Sequence, residues 1–166
     1  GVHDLVQRAG AVKKWPDAPN YAWQQTTSDV FRRFGESWLW LESDAIPLRE
    51  NWLSDLEKEY LMAGKPFMGH IVDGMGHMTG NAVYPYNVAN YCSEALLCTS
   101  ACFDVVLKRW TVDKGLVHPC NNLITRVWNV DNEGHPTNDP QYKAPTFPDW
   151  QTVESLVDFD ACIFHR

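Results

Sequence analysis

No run of apolar residues in this chain is long enough to cross a bilayer, and no signal peptide is visible at its start, so a membrane span is not expected. Positive charge is scarce. The 14 Lys and Arg are outnumbered by 21 Asp and Glu, leaving a formal net charge of −7. Binding a nucleic-acid backbone needs a basic surface, which argues against nucleic acid as the main partner. An anionic ligand fits only where a metal ion or a local Arg or Lys neutralises it. The five cysteines contain no CxxC pair, and Cys98 and Cys102, four apart, share a helix face instead of forming a zinc knuckle. His118 and Cys120 lack the further ligands of a structural zinc site. This odd, unpatterned set suits a reducing compartment, and a cytoplasmic protein is expected. The GxG at 74–76 lacks the rest of a dinucleotide fingerprint, which argues against that function.

Apolar residues, by contrast, are plentiful. Hydrophobic residues make up 45% and aromatics 13% of 166 residues, enough for the core of a single domain spanning 1–166. Eight tryptophans allow some to be core and others to line a concave surface, where amphipathic rings suit sugar and base faces. The chain starts at Gly1 with no Met before it and stops just after the apolar run 161–164. Natural domains seldom stop mid-strand, so the expectation is part of a longer, truncated protein.

The pivotal stretch is 34–51, FGESWLWLESDAIPLREN. Trp38-Leu39-Trp40-Leu41 reads as a short buried strand, although periodicity alone does not exclude a helix. It stops at Glu42-Ser43-Asp44. In extended chain, residues two apart point to one side. If the extension continues, Glu42 and Asp44 aim at one point beyond the strand end, where ligands bind in open α/β sheets. Two like charges held close repel unless a cation lies between them, and a hard divalent ion suits oxygen ligands. The plainer reading is that acidic residues after strands are common and most bind nothing.

Around this stretch the pattern alternates. Residues 2–12 read as a short helix. Residues 15–20, with two prolines, read as a loop. Residues 26–29 offer helix N-caps, Val30, Phe31 and Phe34 follow at helical spacing, and Gly35 fits the position just past the helix end. A helix is expected over 49–63, with Trp52, Leu53, Leu56, Tyr60 and Leu61 on its apolar face and Gly64 ending it. A strand follows over 67–72. Strand, helix, strand at this length reads as a crossover joining parallel strands. Residues 73–80 form a glycine-rich connection, either a plain loop or a ligand contact, into a strand at 81–84. A strongly apolar helix is expected near 91–99, or in several turns up to 110. Asp104 in its midst is unusual unless it faces a cleft. Residues 123–128 are a β-branched strand or a short helix. Residues 129–149 read as a long surface loop or lid, 150–157 as a helix, and 161–164 as a last strand delivering His165.

WLWLESDAIPL at 38–48 resembles the centre of a GT-A glycosyltransferase, where a hydrophobic strand ends in a DxD-type motif and a helix follows. The resemblance implies an α/β fold with a mixed, mainly parallel central sheet and flanking helices. It implies a divalent cofactor, manganese or magnesium, held by Glu42 and Asp44, with Glu in place of the first Asp. That ion would bridge the diphosphate of a nucleotide-sugar donor, and its Lewis acidity would stabilise the departing nucleoside diphosphate. Residues 76–85 are similar to the loop and strand that shape the sugar and acceptor side, which nominates His77, Gly80, Asn81 and Tyr84 as substrate-binding residues. Residues 160–165 are similar to a late strand whose His completes the metal site, which nominates His165. Transfer to a carbohydrate or other hydroxyl acceptor with inversion needs a carboxylate base, for which Asp73 and Asp104 are the candidates. One departure stands out. Family members carry two or three strand–helix units before the acidic motif, whereas only 41 residues precede Glu42. The alternative is a non-catalytic α/β binding or assembly module with a Trp-rich interaction surface.

Overall fold

The computed structural model describes residues 16–43, 45–72, 74–92, 101–120, 124–126, 129–130, 136–137 and 162–165. The expected helices at 2–12 and 150–157, the 138–149 part of the long loop, Cys98, and the candidates Asp44 and Asp73 lie outside the described residues.

The first described helix, α1 (Asp17–Arg33), starts about ten residues earlier than the sequence pattern suggests. The two prolines do not break it. Pro16 precedes the helix and Pro19 is its third residue, within the first turn, where backbone N–H groups have no helical acceptor and proline's missing donor costs nothing. Asp17 near the start and Arg32 and Arg33 in the last turn complement the helix dipole. Asn20, Trp23, Thr27 and Val30, three or four apart, form the buried stripe. Gly35, at φ +67°, turns the chain as expected just past the helix end.

Strand β1 (Trp38–Trp40) follows, half-buried, and then the two-residue strand β2 (Ile46–Pro47). Helix α2 (Trp52–Ala63) ends at Gly64, φ +61°. Its inward face is narrower than expected. Leu56 is buried and Trp52 and Tyr60 are half-buried, whereas Leu53 and Leu61 are exposed. Strands β3 (Phe67–Ile71) and β4 (Met78–Tyr84) form a hairpin. Its loop is four residues, 73–76, closed by Val72 N–H donating to His77 O (2.9 Å) and Gly76 N–H donating to Val72 O (2.8 Å). The glycine-rich stretch is thus a hairpin loop whose far end, from Met78, is already strand. Helices α3 (Ala89–Cys92) and α4 (Phe103–Leu107) follow, the latter running into a 3-10 turn at Lys108–Trp110. Of the two expected extents, a helix continuous to 110 does not form, because Cys102 is extended (φ −64°, ψ 145°), and most of the shorter one, from residue 93, lies outside the described residues. Next come β5 (Val117–Pro119), which the sequence reading missed, and β6 (Ile124–Arg126), which resolves the strand-or-helix choice at 123–128. The short pair β7 (Asn129–Val130) and β8 (Pro136–Thr137) falls within the expected long loop, and β9 (Ile163–His165) ends the described chain.

The central sheet has the order β1-β4-β3-β5. It is mixed, not mainly parallel: β4 runs antiparallel to both neighbours, and only β3 and β5 pair in parallel. The reason is the short β3–β4 loop, which permits only antiparallel pairing. The crossover reading keeps one truth. Both β1 and β3 oppose β4, so they point the same way, with β4 inserted between them. Every residue of β4 is buried. One face of the sheet carries an aromatic core around Trp23, Phe67, Tyr84 and Phe103, and the other an aliphatic core around Leu56, Met68, Val83, Ile124 and Ile163. Trp23 is central to the first. It stacks on Phe103 (centroids 5.0 Å) and meets Tyr84 edge-on (5.8 Å). A second sheet, β2-β9-β6, pairs β9 antiparallel to β2 and parallel to β6. No described helix is long and apolar enough to cross a membrane.

Candidate functional site

Register builds the site. Trp38 pairs with Tyr84 and Trp40 with Ala82, so the same register continued two residues sets Glu42 across from Gly80. Side chains confirm this. A Cβ added to Gly80 would lie 2.8 Å from Glu42 Oε1 and 3.0 Å from its Cδ. Glycine at position 80 is what leaves room for the carboxylate. Asn81, fully buried, holds Glu42 twice: Glu42 N–H donates to Asn81 Oδ1 (2.7 Å), and Asn81 Nδ2 donates to Glu42 Oε2 (3.3 Å). The Tyr84 hydroxyl donates to Gly80 O (3.0 Å), and Thr79 Oγ1 donates to Asn81 O (3.2 Å). Four of the expected site residues, Glu42, Gly80, Asn81 and Tyr84, therefore meet.

Asp104 reaches the same neighbourhood from α4. It is 9% exposed, and its Oδ1 accepts the Val105 N–H (2.8 Å). His77 Nε2 lies 3.9 Å from Asp104 Oδ2, beyond hydrogen-bond length. Burial first, then the charges of Asp104 and Glu42, push the Tyr84 phenol well above its usual range. The Cys102 thiol is pushed up to about 12, again by burial first and next by Asp104. Both carboxylates act on Tyr84 and on Cys102, so they belong to one electrostatic pocket.

The pivotal strand does not continue extended past Glu42. Ala45 N–H donates to Glu42 O (3.0 Å), so the backbone turns after Glu42 instead of running on extended. That turn feeds directly into β2. Ile46 pairs with Phe164 and Pro47 with Ile163, and one further step of this register sets the backbone of His165 beside Ala45. The acidic turn and the last strand, more than a hundred residues apart in sequence, are neighbours. Among the described residues no group of three or more His, Cys, Asp and Glu could hold a metal ion. Asp44 and the His165 side chain fall outside that description, so Glu42 is the described oxygen donor of the set.

Several contributors were not foreseen. Asn20 on α1 fixes the start of α4, donating from Nδ2 to Ala101 O (2.8 Å) and accepting the Phe103 N–H at Oδ1 (2.7 Å). Lys108 Nζ donates to Met75 O (2.8 Å) and ties down the hairpin loop. Phe103 meets Trp40 edge-on at 6.0 Å beside the acids. Only Trp40 carried a signal in sequence, as part of the pivotal run. Asn20 and Lys108 act across more than thirty residues and carried none. Of the eight tryptophans, five are described: Trp23 is buried in the aromatic core, and Trp38, Trp40, Trp52 and Trp110 are half-buried at the edges of the two cores.

Compared with known proteins, the chain matches no family, no curated protein and no solved structure.

Proposed function

We infer that the chain is a glycosyltransferase domain, dependent on manganese or magnesium, that moves a sugar from a nucleotide-diphosphate donor to a hydroxyl acceptor. The observation that carries this reading is the β2–β9 register, which runs the His165 backbone alongside the turn that bears Glu42 and Asp44. Glu42, Asp44 and His165 would hold the ion. Oxygen and imidazole donors suit such a cation, and the half-buried, doubly braced Glu42 is a fitting ligand. When bound, the ion supplies Lewis acidity to the leaving diphosphate. The remaining roles fall to the chain itself. Asn81 orients the Glu42 carboxylate, and Gly80 leaves the space it occupies. Gly80, Asn81, Tyr84 and His77 shape the sugar side. Asp104, with His77 beside it, is the described carboxylate suited to take the acceptor proton, and Asp73 is the other candidate base.

The test is isothermal titration of the chain with UDP-, GDP- and CMP-sugars in the presence of manganese, alongside thermal melts with manganese alone. The expected outcome is donor binding and a metal-dependent rise in Tm that Glu42→Gln abolishes. An intact fold that gives no heat with any donor removes the reading.

A non-catalytic assembly module is the second reading, and one feature favours it. A groove of about 430 Å³ lies between β1 and α2, floored by Leu39, Leu56 and Val83 with Leu53 and Leu61 exposed at its side. Absence of any metal effect in the parent protein would favour this reading.

A further inference from the structure

A second pocket lies at the other end of β4. Gly80 and Tyr84 are four residues apart, about 13 Å of strand, and past Tyr84 the chain turns at Tyr86 beneath α1. There a pocket of about 250 Å³ is lined by Gln24, Gln25, Thr27, Ser28, Phe31 and Tyr86, among others. Its wall is an exposed aromatic pair. The Phe31 and Tyr86 rings lie nearly parallel (12°) with centroids 6.3 Å apart, and they are 56% and 39% exposed. What sets these two rings apart from other exposed apolar side chains is that they stack on each other and present one contiguous face. The rest of the lining is uncharged: two carboxamides, two hydroxyls and Ala89. Arg32 is the nearby cation, and its Nη2 donates to Ser28 Oγ (2.9 Å).

Thr27 is the feature that separates this pocket from ordinary surface. It is 2% exposed, yet its hydroxyl has no hydrogen-bond partner. A threonine inside a helix commonly returns its hydroxyl to the carbonyl one turn back. A buried hydroxyl left without a partner is destabilising unless a water or a ligand meets it, and Thr27 belongs to this pocket's lining.

We propose that this pocket binds a neutral sugar ring, through stacking on the Phe31–Tyr86 pair and hydrogen bonds to Thr27, Gln24 and Gln25. A sugar ring presents C–H groups on a face and hydroxyls at its rim. Aromatic faces take the first, and carboxamides and hydroxyls, which donate and accept, take the second. The volume lies below the roughly 300–1,000 Å³ of clefts for drug-sized ligands, as a single ring requires. The lining has no charged group to pair with a phosphate, which disfavours a nucleotide. The proposal is independent of the transferase reading, because none of these residues touches the acidic pocket.

The test is saturation-transfer NMR on the chain with methyl glycosides of glucose, galactose, mannose and N-acetylglucosamine, with adenosine as a comparison ligand. At least one glycoside should show transfer. Tyr86→Ala and Phe31→Ala should each weaken it roughly tenfold, in line with the loss of a stacking partner. Both residues are exposed, so the variants should melt as the parent does. Thr27→Val removes an unpartnered hydroxyl and should weaken binding without lowering Tm. Glu42→Gln should leave glycoside binding unchanged. The proposal is overturned if no glycoside binds, if adenosine alone binds, if neither aromatic variant changes binding, or if Glu42→Gln removes it.

Discussion

Asn20 and Asn81 are both buried, and each spends its amide on two hydrogen bonds to the far side of a gap. Asn20 holds an Ala101 carbonyl and a Phe103 amide, and so fixes where α4 begins. Asn81 holds one backbone N–H and one carboxylate oxygen, both of Glu42. The first asparagine fixes backbone. The second orients a side-chain carboxylate, which under the proposed function is a metal ligand. The two differ in what lies at the end of their hydrogen bonds.

The largest effect should come from Asn20→Ala. It strands a carbonyl and an amide next to the Trp23–Phe103 stack, and a buried polar group left unpaired costs about 1–3 kcal/mol. A loss of roughly 2–4 kcal/mol in urea unfolding is expected, with the metal-dependent rise in Tm retained. A loss below about 1 kcal/mol would show that water takes over the bonds. Asn81→Ala should cost less, about 1–2 kcal/mol, because Glu42 is partly solvated. It should also remove the manganese effect on Tm. If both variants respond to manganese like the parent, the contrast between the two asparagines fails.

A third effect depends on pH. The aromatic core holds Cys92 and Cys102, whose thiols are pushed, by burial first, from 9.0 up to about 12. In the unfolded chain these thiols lose their protons near pH 9, whereas the folded protein keeps them to about 12. Above pH 9 the unfolded state therefore binds fewer protons, and stability falls as pH rises. Cys92, 1% exposed, should alone remove roughly 1.4 kcal/mol by pH 10. Urea unfolding at pH 8 and pH 10, with Cys92→Ala at each pH, measures it. A parent no less stable at pH 10 than at pH 8 would contradict the burial of these thiols.

Much of this was legible in the sequence where the determinants are local. Gly35 and Gly64 marked helix ends because both positions need φ above zero. The run at 38–41 read as a strand, and the order of acidic turn, helix, strand and glycine-rich connection carried Glu42, Gly80, Asn81 and Tyr84 into one candidate site. One misreading came from treating a residue type apart from its position: Pro19 looked like a breaker but sits in the first helical turn. The glycine-rich stretch read as a connection into a strand, and it closes the β3–β4 hairpin. That hairpin is also why the sheet is mixed. What stayed hidden is non-local. Asn20 reaches across 81 and 83 residues, and nothing in the neighbouring sequence announces its partners. The placement of β5 was hidden for another reason: Val117-His118-Pro119 is short and contains a residue normally read against strands.

That proline has a consequence at the rim of the central sheet. Leu116 O accepts from Phe67 N–H, and Cys120 N–H donates to Gly69 O, so the backbone groups facing β3 belong to even-numbered positions here. Val117 and Pro119 face outward, and Pro119 has no hydrogen to offer. An extended segment from another molecule that tried to lengthen the sheet along β5 would find one amide where a regular strand supplies two. This border is blunted against end-on association, as natural sheets blunt exposed borders, and it needs no charged side chain to do so.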